Sequence, residues 1–156
     1  MEYDETEAMM TDATPAGAPT MSLPPRTPIG LTPYLTIRGG RGAEAMAWYV
    51  QSFGGTEVFR NVAQDGRRLL HARVAINGQV VFFSDDFPDM RGGAETPPPA
   101  AVTLHLQVDD ADAWAERAAA AGAEITMPVA EMFWGDRYGQ LRDPFGHSWS
   151  VGSSKK

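Results

Sequence analysis

Apolar and polar positions alternate, then cycle, then alternate again along residues 31–84. Leu35 and Ile37 are separated by Thr36 and preceded by Tyr34, which is the period of a strand. Gly39-Gly40 interrupts it. From Ala43 to Phe53, Ala45, Trp48, Tyr49 and Ser52–Phe53 fall near one stripe, predicting a helix that Gly54-Gly55 closes. Strands are predicted at Thr56–Arg60, Leu69–Ile76 and Gln79–Ser84. A polar turn around Gln64-Asp65-Gly66 separates the first two. Asn77-Gly78, the strongest hairpin signal in the chain, joins the last two.

Residues 85–100 read as a loop ending in Pro97-Pro98-Pro99, a semi-rigid connector. The same order then returns. A strand is predicted at Ala101–Val108 and a helix at Asp112–Ala121, with Asp109 and Asp110 suited to its start. Further strands follow at Glu124–Met127, ended by Pro128, at Tyr138–Arg142, and at His147–Val151 after the Asp143-Pro144-Phe145-Gly146 turn. Gly55-Thr56-Glu57-Val58 parallels Gly122-Ala123-Glu124-Ile125, and Asn77-Gly78 parallels Phe145-Gly146. The offsets of 67 and 68 residues point to a duplicated unit. The division is a Pro-rich acidic tail at 1–30, read as disordered, module one at 31–84, a linker at 85–100, module two at 101–152, and a short tail at 153–156.

Strand parity assigns faces. Val102, Leu104, Leu106 and Val108 form the apolar face of their strand, with Thr103, His105 and Gln107 opposite. Trp149 and Val151 oppose Ser148 and Ser150. Leu35 and Ile37 point inward, while Thr32, Tyr34 and Thr36 point out. Phe82 shares a face with Val80 and Ser84. Two such sheets side by side would curve around a shared cavity, the usual setting of a small-molecule site.

Composition narrows the classes. The 156 residues suit one well-buried domain. The net charge is −7, and more than half of that excess lies in residues 1–30, where Glu2, Asp4, Glu5, Glu7 and Asp12 face Arg26 alone. Such a balance argues against a nucleic-acid partner. There is no Cys, so disulfides, thiolate metal sites and cysteine nucleophiles are excluded. Neither a signal-peptide core nor a membrane-length apolar run is present, and the expected location is the cytoplasm.

The ordered set of motifs resembles the PhnB-like branch of the glyoxalase/bleomycin-resistance/extradiol dioxygenase (vicinal oxygen chelate) superfamily. It comprises Thr32-Pro33-Tyr34-Leu35, Glu44-Ala45-Met46-Ala47-Trp48-Tyr49, Phe53-Gly54-Gly55, His71-Ala72, Ser84-Asp85, Val108-Asp109-Asp110-Ala111-Asp112 and Ala120-Ala121-Gly122-Ala123. The most specific stretch is Phe133-Trp134-Gly135-Asp136-Arg137-Tyr138-Gly139, followed by Asp143-Pro144-Phe145-Gly146-His147-Ser148-Trp149. The resemblance covers residues 31–152. It implies an α+β fold of two βαβββ modules around an open cleft, and usually a homodimer. It also implies either metal-dependent isomerase, lyase or dioxygenase chemistry, or plain binding of small molecules such as antibiotics.

Metal-using relatives place His, Glu or Gln ligands on the first and last strands of each module. Carried over, those positions fall near Thr32 (Pro33 if the register slips by one), Phe82, Thr103 and Ser150. None is a His, Glu or Gln, so no metal or other cofactor is expected. His105 is the best substitute donor. His71 and His147 each read as a satisfied polar group before a ligand. Trp134 could stack on a ring or cation, or plug the core. Arg137 could clamp an anion or pair locally. Asp85-Asp86 read as solvated loop acids before a general base, and Arg67, Arg68 and Arg142 as surface charges. The expected ligand site is Tyr34, Phe82, Thr103, His105, Trp134, Arg137 and Ser150, binding a small organic molecule. A metal-dependent lyase/isomerase or dioxygenase-type enzyme with relocated ligands is the alternative. A third reading makes the acidic tail an interaction segment.

Overall fold

In a computed structural model, which describes residues 23–27 and 29–155, the chain runs β1 (Tyr34–Ile37), α1 (Gly42–Phe53), β2 (Thr56–Val62), β3 (Leu69–Ile76) and β4 (Gln79–Asp85). It continues as β5 (Thr103–Gln107), α2 (Ala111–Ala120), β6 (Glu124–Glu131), β7 (Arg137–Arg142) and β8 (Ser148–Ser153). The strands form two four-stranded mixed sheets, ordered β1-β4-β3-β2 and β5-β8-β7-β6. β1 lies parallel to β4 and β5 parallel to β8, while the other neighbours are antiparallel. This is βαβββ written twice, the α+β architecture expected from the sequence. The tail expected at 1–30 falls mostly outside the described residues.

Local chemistry explains the elements. α1 buries Ala45, Met46, Trp48, Tyr49, Ser52 and Phe53 on one stripe. α2 starts at Asp110, whose carboxylate accepts from the Ala113 N–H at 3.0 Å. Asn77 and Gly78 both have positive φ, 50° and 80°, as a tight hairpin turn requires. α1 lacks a side-chain cap of its own. Asp85, at the end of β4, accepts instead from the Gly42 N–H at 2.8 Å and the Leu69 N–H at 2.6 Å. At the matching place in module two, Ser153 accepts from the Ala111 N–H at 3.3 Å.

The helices and the apolar faces of both sheets share one aromatic core. Phe53 lies 4.9 Å from Trp149 and 6.0 Å from Trp114, and Tyr49 lies 6.1 Å from Phe83, centroid to centroid. Asp143 sits inside it. Its carboxylate accepts from the Tyr49 hydroxyl (2.7 Å), the Trp149 indole (2.9 Å) and the Phe145 and His147 backbone N–H groups (2.9 Å each). The Asp-Pro-Phe-Gly turn is therefore tied to the core.

Several sequence expectations change. The predicted Ala101–Val108 strand shortens to β5, and Val102 is 69% exposed instead of packed under the helices. β6 does not stop at Pro128. Its register steps from Met127 opposite Gln140 to Ala130 opposite Tyr138, so the proline lies in a bulge where no ladder N–H is needed. β8 begins at Ser148, leaving His147 in the turn, buried, with Nε2 3.2 Å from the Thr36 carbonyl. Asp85 and Asp86 are not solvated. Asp85 is 2% exposed, and Asp86 is bonded by Arg91, the Thr96 hydroxyl and the Thr96 N–H. Arg68 is no lone surface charge either, since Asp65 and Asp89 both hold it.

Candidate functional site

Strand register fixes which residues meet on the faces turned away from the helices. Tyr34 on β1 is level with Phe82 on β4, and His105 on β5 is level with Ser150 on β8. Thr103 lies two pairs away, level with Ser148, and Thr32 precedes β1. Tyr34 and His105, rather than Thr32 and Thr103, are thus the first-strand neighbours of Phe82 and Ser150. The sequence gives each strand's parity, but a parallel pair has no hairpin to set its register.

On module one, Phe59 and Asn61 stand opposite Arg73 and His71. Arg73 is 7% exposed. Its Nε donates to His71 Nε2 at 3.0 Å, its guanidinium lies 4.5 Å from the Phe82 ring centroid, and an Nη1–H donates to the Pro25 carbonyl. His71 Nδ1 meets the Tyr34 hydroxyl at 2.9 Å. Burial, then the nearby Arg73 charge, pushes the His71 imidazole below its ordinary range.

On module two, His105 Nδ1 meets Ser150 Oγ at 2.8 Å, and Nε2 meets Gln107 Oε1 at 3.0 Å. The amide oxygen only accepts, so Nε2 carries the proton and the Ser150 hydroxyl donates to Nδ1. Tyr138 stacks on His105 at 6.0 Å and takes the edge of Trp134 at 6.0 Å. Trp134 is half exposed and Phe133 is 98% exposed, so neither plugs the core.

Between the modules lies a cavity of about 530 Å³, lined by Phe82, Thr103, His105, Val80 and the 29–33 segment among others. It opens where β1 stops short. β1 begins level with Phe82, leaving Gln79, Val80 and Val81 of β4 without a partner on that edge. Of the residues singled out from the sequence, Phe82, Thr103 and His105 line this cavity. Tyr34, Ser150 and Trp134 join the clusters on the same faces. Arg137 does not. It grips Asp112 at 2.5 and 2.8 Å, on the face of β7 opposite Tyr138. That bond raises Arg137 and lowers Asp112 from their ordinary ranges.

Sequence reading placed Gln107 on the His105 face without making it a site residue, and passed over Arg73, Phe59 and Tyr138. Parity was the available signal: His71 and Arg73 share a face opposite to buried Ala72 and Val74, as His105 and Gln107 share one opposite to Leu104 and Leu106. Among the described residues no three His, Asp or Glu side chains converge, and no helix is long and apolar enough to cross a membrane.

Comparison with known proteins agrees with this architecture. The Mycobacterium bovis protein Mb0911c is 42% identical over 126 residues, covering 78% of this chain and 81% of its own. The crystal structure of PA1353 from Pseudomonas aeruginosa is 27% identical, with a TM-score of 0.67 over 83% of this chain and all of that one. A PhnB protein from Bacillus cereus shares the fold at 20% identity and a TM-score of 0.62, covering 80% of this chain and 98% of that one. Residues 32–151 match the family described as Glyoxalase/Bleomycin resistance protein/Dioxygenase superfamily, and with its two βαβββ modules this chain belongs to that superfamily.

Proposed function

We propose that this chain binds a flat small organic molecule in the aromatic-lined cleft between its modules, without a divalent ion. The observation that carries the reading is the cavity of about 530 Å³ bounded by Phe82 and His105, a volume typical of small-ligand sites. Tyr34 packs edge-on against Phe82, and Tyr138, itself met by Trp134, stacks on His105, so the two rings that bound the cavity stand in aromatic clusters suited to a planar body.

The metal-free part rests on donor chemistry. Divalent ions with open positions are held by imidazole and carboxylate groups. The level pairs here are Tyr34–Phe82 and His105–Ser150. A phenyl ring offers no lone pair, the phenol and hydroxyl are neutral, and both His105 nitrogens already have partners. Such a set does not suit a catalytic divalent ion.

Thermal-shift screening against planar aromatic compounds tests the binding reading. The expected result is stabilisation by a subset, weakened in F82A and H105A. Silence across a broad panel overturns it. Elemental analysis of protein purified without a His tag tests the second part. A stoichiometric divalent ion would favour the alternative, a lyase, isomerase or dioxygenase-type enzyme with relocated ligands. The proposed assembly is a homodimer in the cytoplasm. Family membership and the exposed Phe133 ring support the dimer, and light scattering at micromolar concentration checks it against a monomer.

A further inference from the structure

Among the described residues Arg73 is a buried cation without a counter-ion. Its partners are an imidazole, a phenyl ring and a backbone carbonyl, and no carboxylate joins them among the described residues. Taking a guanidinium out of water without an anion is unfavourable, and a fold keeps such a group where something else compensates. The hydrogen bonds around it have one consistent assignment. A guanidinium is always protonated, so Arg73 Nε–H donates and His71 Nε2 must be the unprotonated ring nitrogen. His71 is then neutral, with its proton on Nδ1. That proton goes to the Tyr34 oxygen 2.9 Å away. The Tyr34 hydroxyl hydrogen is left to donate elsewhere.

The chain Arg73–His71–Tyr34 therefore presents only donors on the sheet face it shares with Phe82: the outer Nη groups of Arg73 and the Tyr34 O–H. Planar carboxylates match a guanidinium fork. Phe82 links this corner to the cavity, because its ring carries Arg73 and also lines the space between the modules. The Pro25 carbonyl already occupies one Nη donor. It belongs to an exposed segment, residues 23–27, with no other side-chain hydrogen bond among the described residues. It marks where an oxygen acceptor sits, and little holds it there.

We propose that Arg73 and Tyr34, positioned by His71, form a subsite for the carboxylate of a planar organic acid, whose arrival displaces the Pro25 carbonyl. This rests on the cleft-binding reading and names the class of its ligand. The net charge of −7 disfavours anions at long range. Long-range repulsion is screened within about 10 Å, whereas Arg73 acts at contact.

Benzoate and its neutral analogue benzamide, titrated into the full chain, test it. Benzoate is expected to bind about tenfold more tightly, the worth of one charge-assisted hydrogen-bonded pair. R73Q should remove the preference, so that benzoate and benzamide bind alike. Y34F, at a half-exposed position, should reduce it several-fold and serves if R73Q does not fold. A readout free of substitution is the arginine side-chain 15N spectrum. Benzoate should move the Arg73 signal together with the amides of Leu23, Arg26 and Thr27. Equal binding of the two probes, or a preference that survives in R73Q, overturns the subsite while the cleft reading stands. If benzoate fails to bind while neutral planar compounds still stabilise the chain, the outcome is the same. Silence from all of them overturns both.

Discussion

Asp143 is the residue on which the interior depends most. Four donors converge on one carboxylate, and two of them are ring groups with no other acceptor. Burial and the carboxylate together push the Tyr49 hydroxyl well above its usual range, so it stays a donor. D143A leaves those donors buried and unpaired, a loss of about 3–5 kcal/mol in urea melts, against about 1.5–3 kcal/mol for Y49F. Ser52 makes the opposite case. Its hydroxyl is buried in α1 with no partner among the described residues, so S52A should gain about 1 kcal/mol and about 2–4 °C in Tm. His71 gives a pH signature. Its folded pKa lies below the unfolded one, so the unfolded chain binds more protons between the two values. Stability is complete above the ordinary histidine range and falls as pH drops through it. H71Q should flatten that slope in melts taken from pH 7.5 to 5. At this scale the sequence showed residue type and strand parity and little else. Asp143 reads as a turn acid because its Phe145, His147 and Trp149 partners are local, whereas the Tyr49 hydroxyl that ties it to the other module is 94 residues away. Arg73 was hidden by its setting, a charged residue between Ala72 and Val74 in a strand whose only other polar residue is His71.

Elements were the most legible level, because their signals are local. Periodicity, the Asn77-Gly78 turn and the Asp110 cap each act within a few residues, and all eight strands and both helices follow from them. What failed were ends and registers. Val102 carried the right parity but lies beyond the last strand partner, and Pro128 read as a terminator when it occupies a bulge. The capping of α1 was equally out of reach, since Asp85 is supplied 43 residues later. That contact also explains Gly42. A Cβ there would lie 2.4 Å from Asp85 Oδ2. G42A should therefore cost about 2–3 kcal/mol by evicting the carboxylate, and D85A a similar amount by leaving two N–H groups unsatisfied. In the D85A background the obstacle is gone. G42A should then be neutral, or gain up to about 1 kcal/mol from alanine's helix preference. Additive losses in the double-mutant cycle would mean that Gly42 is required for some other reason.

The repeat visible in the sequence suggests two independent units, and the packing argues that they are not. Tyr49 of module one bonds Asp143 of module two, the Trp48 indole donates to the Ala121 carbonyl at 2.9 Å, Asn77 donates to the Gln107 carbonyl at 2.8 Å, and Arg117 donates to the Gln51 carbonyl at 2.8 Å. Phe53 stacks on Trp114 and meets Trp149 edge to face. Neither module alone could cover its aromatic face, and an unpaired half would expose those rings to water at about 1.5–3 kcal/mol for each large side chain. The cleft is a consequence of the same joint: with both helices gathered on one side, the opposite sheet faces are left to curve around Phe82 and His105. Unfolding should accordingly be one transition. Tryptophan fluorescence and far-UV circular dichroism should give coincident urea curves, and the slowest amides of β3 and β8 should exchange with the same opening free energy. If β8 opened at a free energy lower than β3 by more than about 2 kcal/mol, the shared core would not be coupling the halves. A ligand bound between them would then have to order the cleft itself, and its binding would steepen and merge the two transitions.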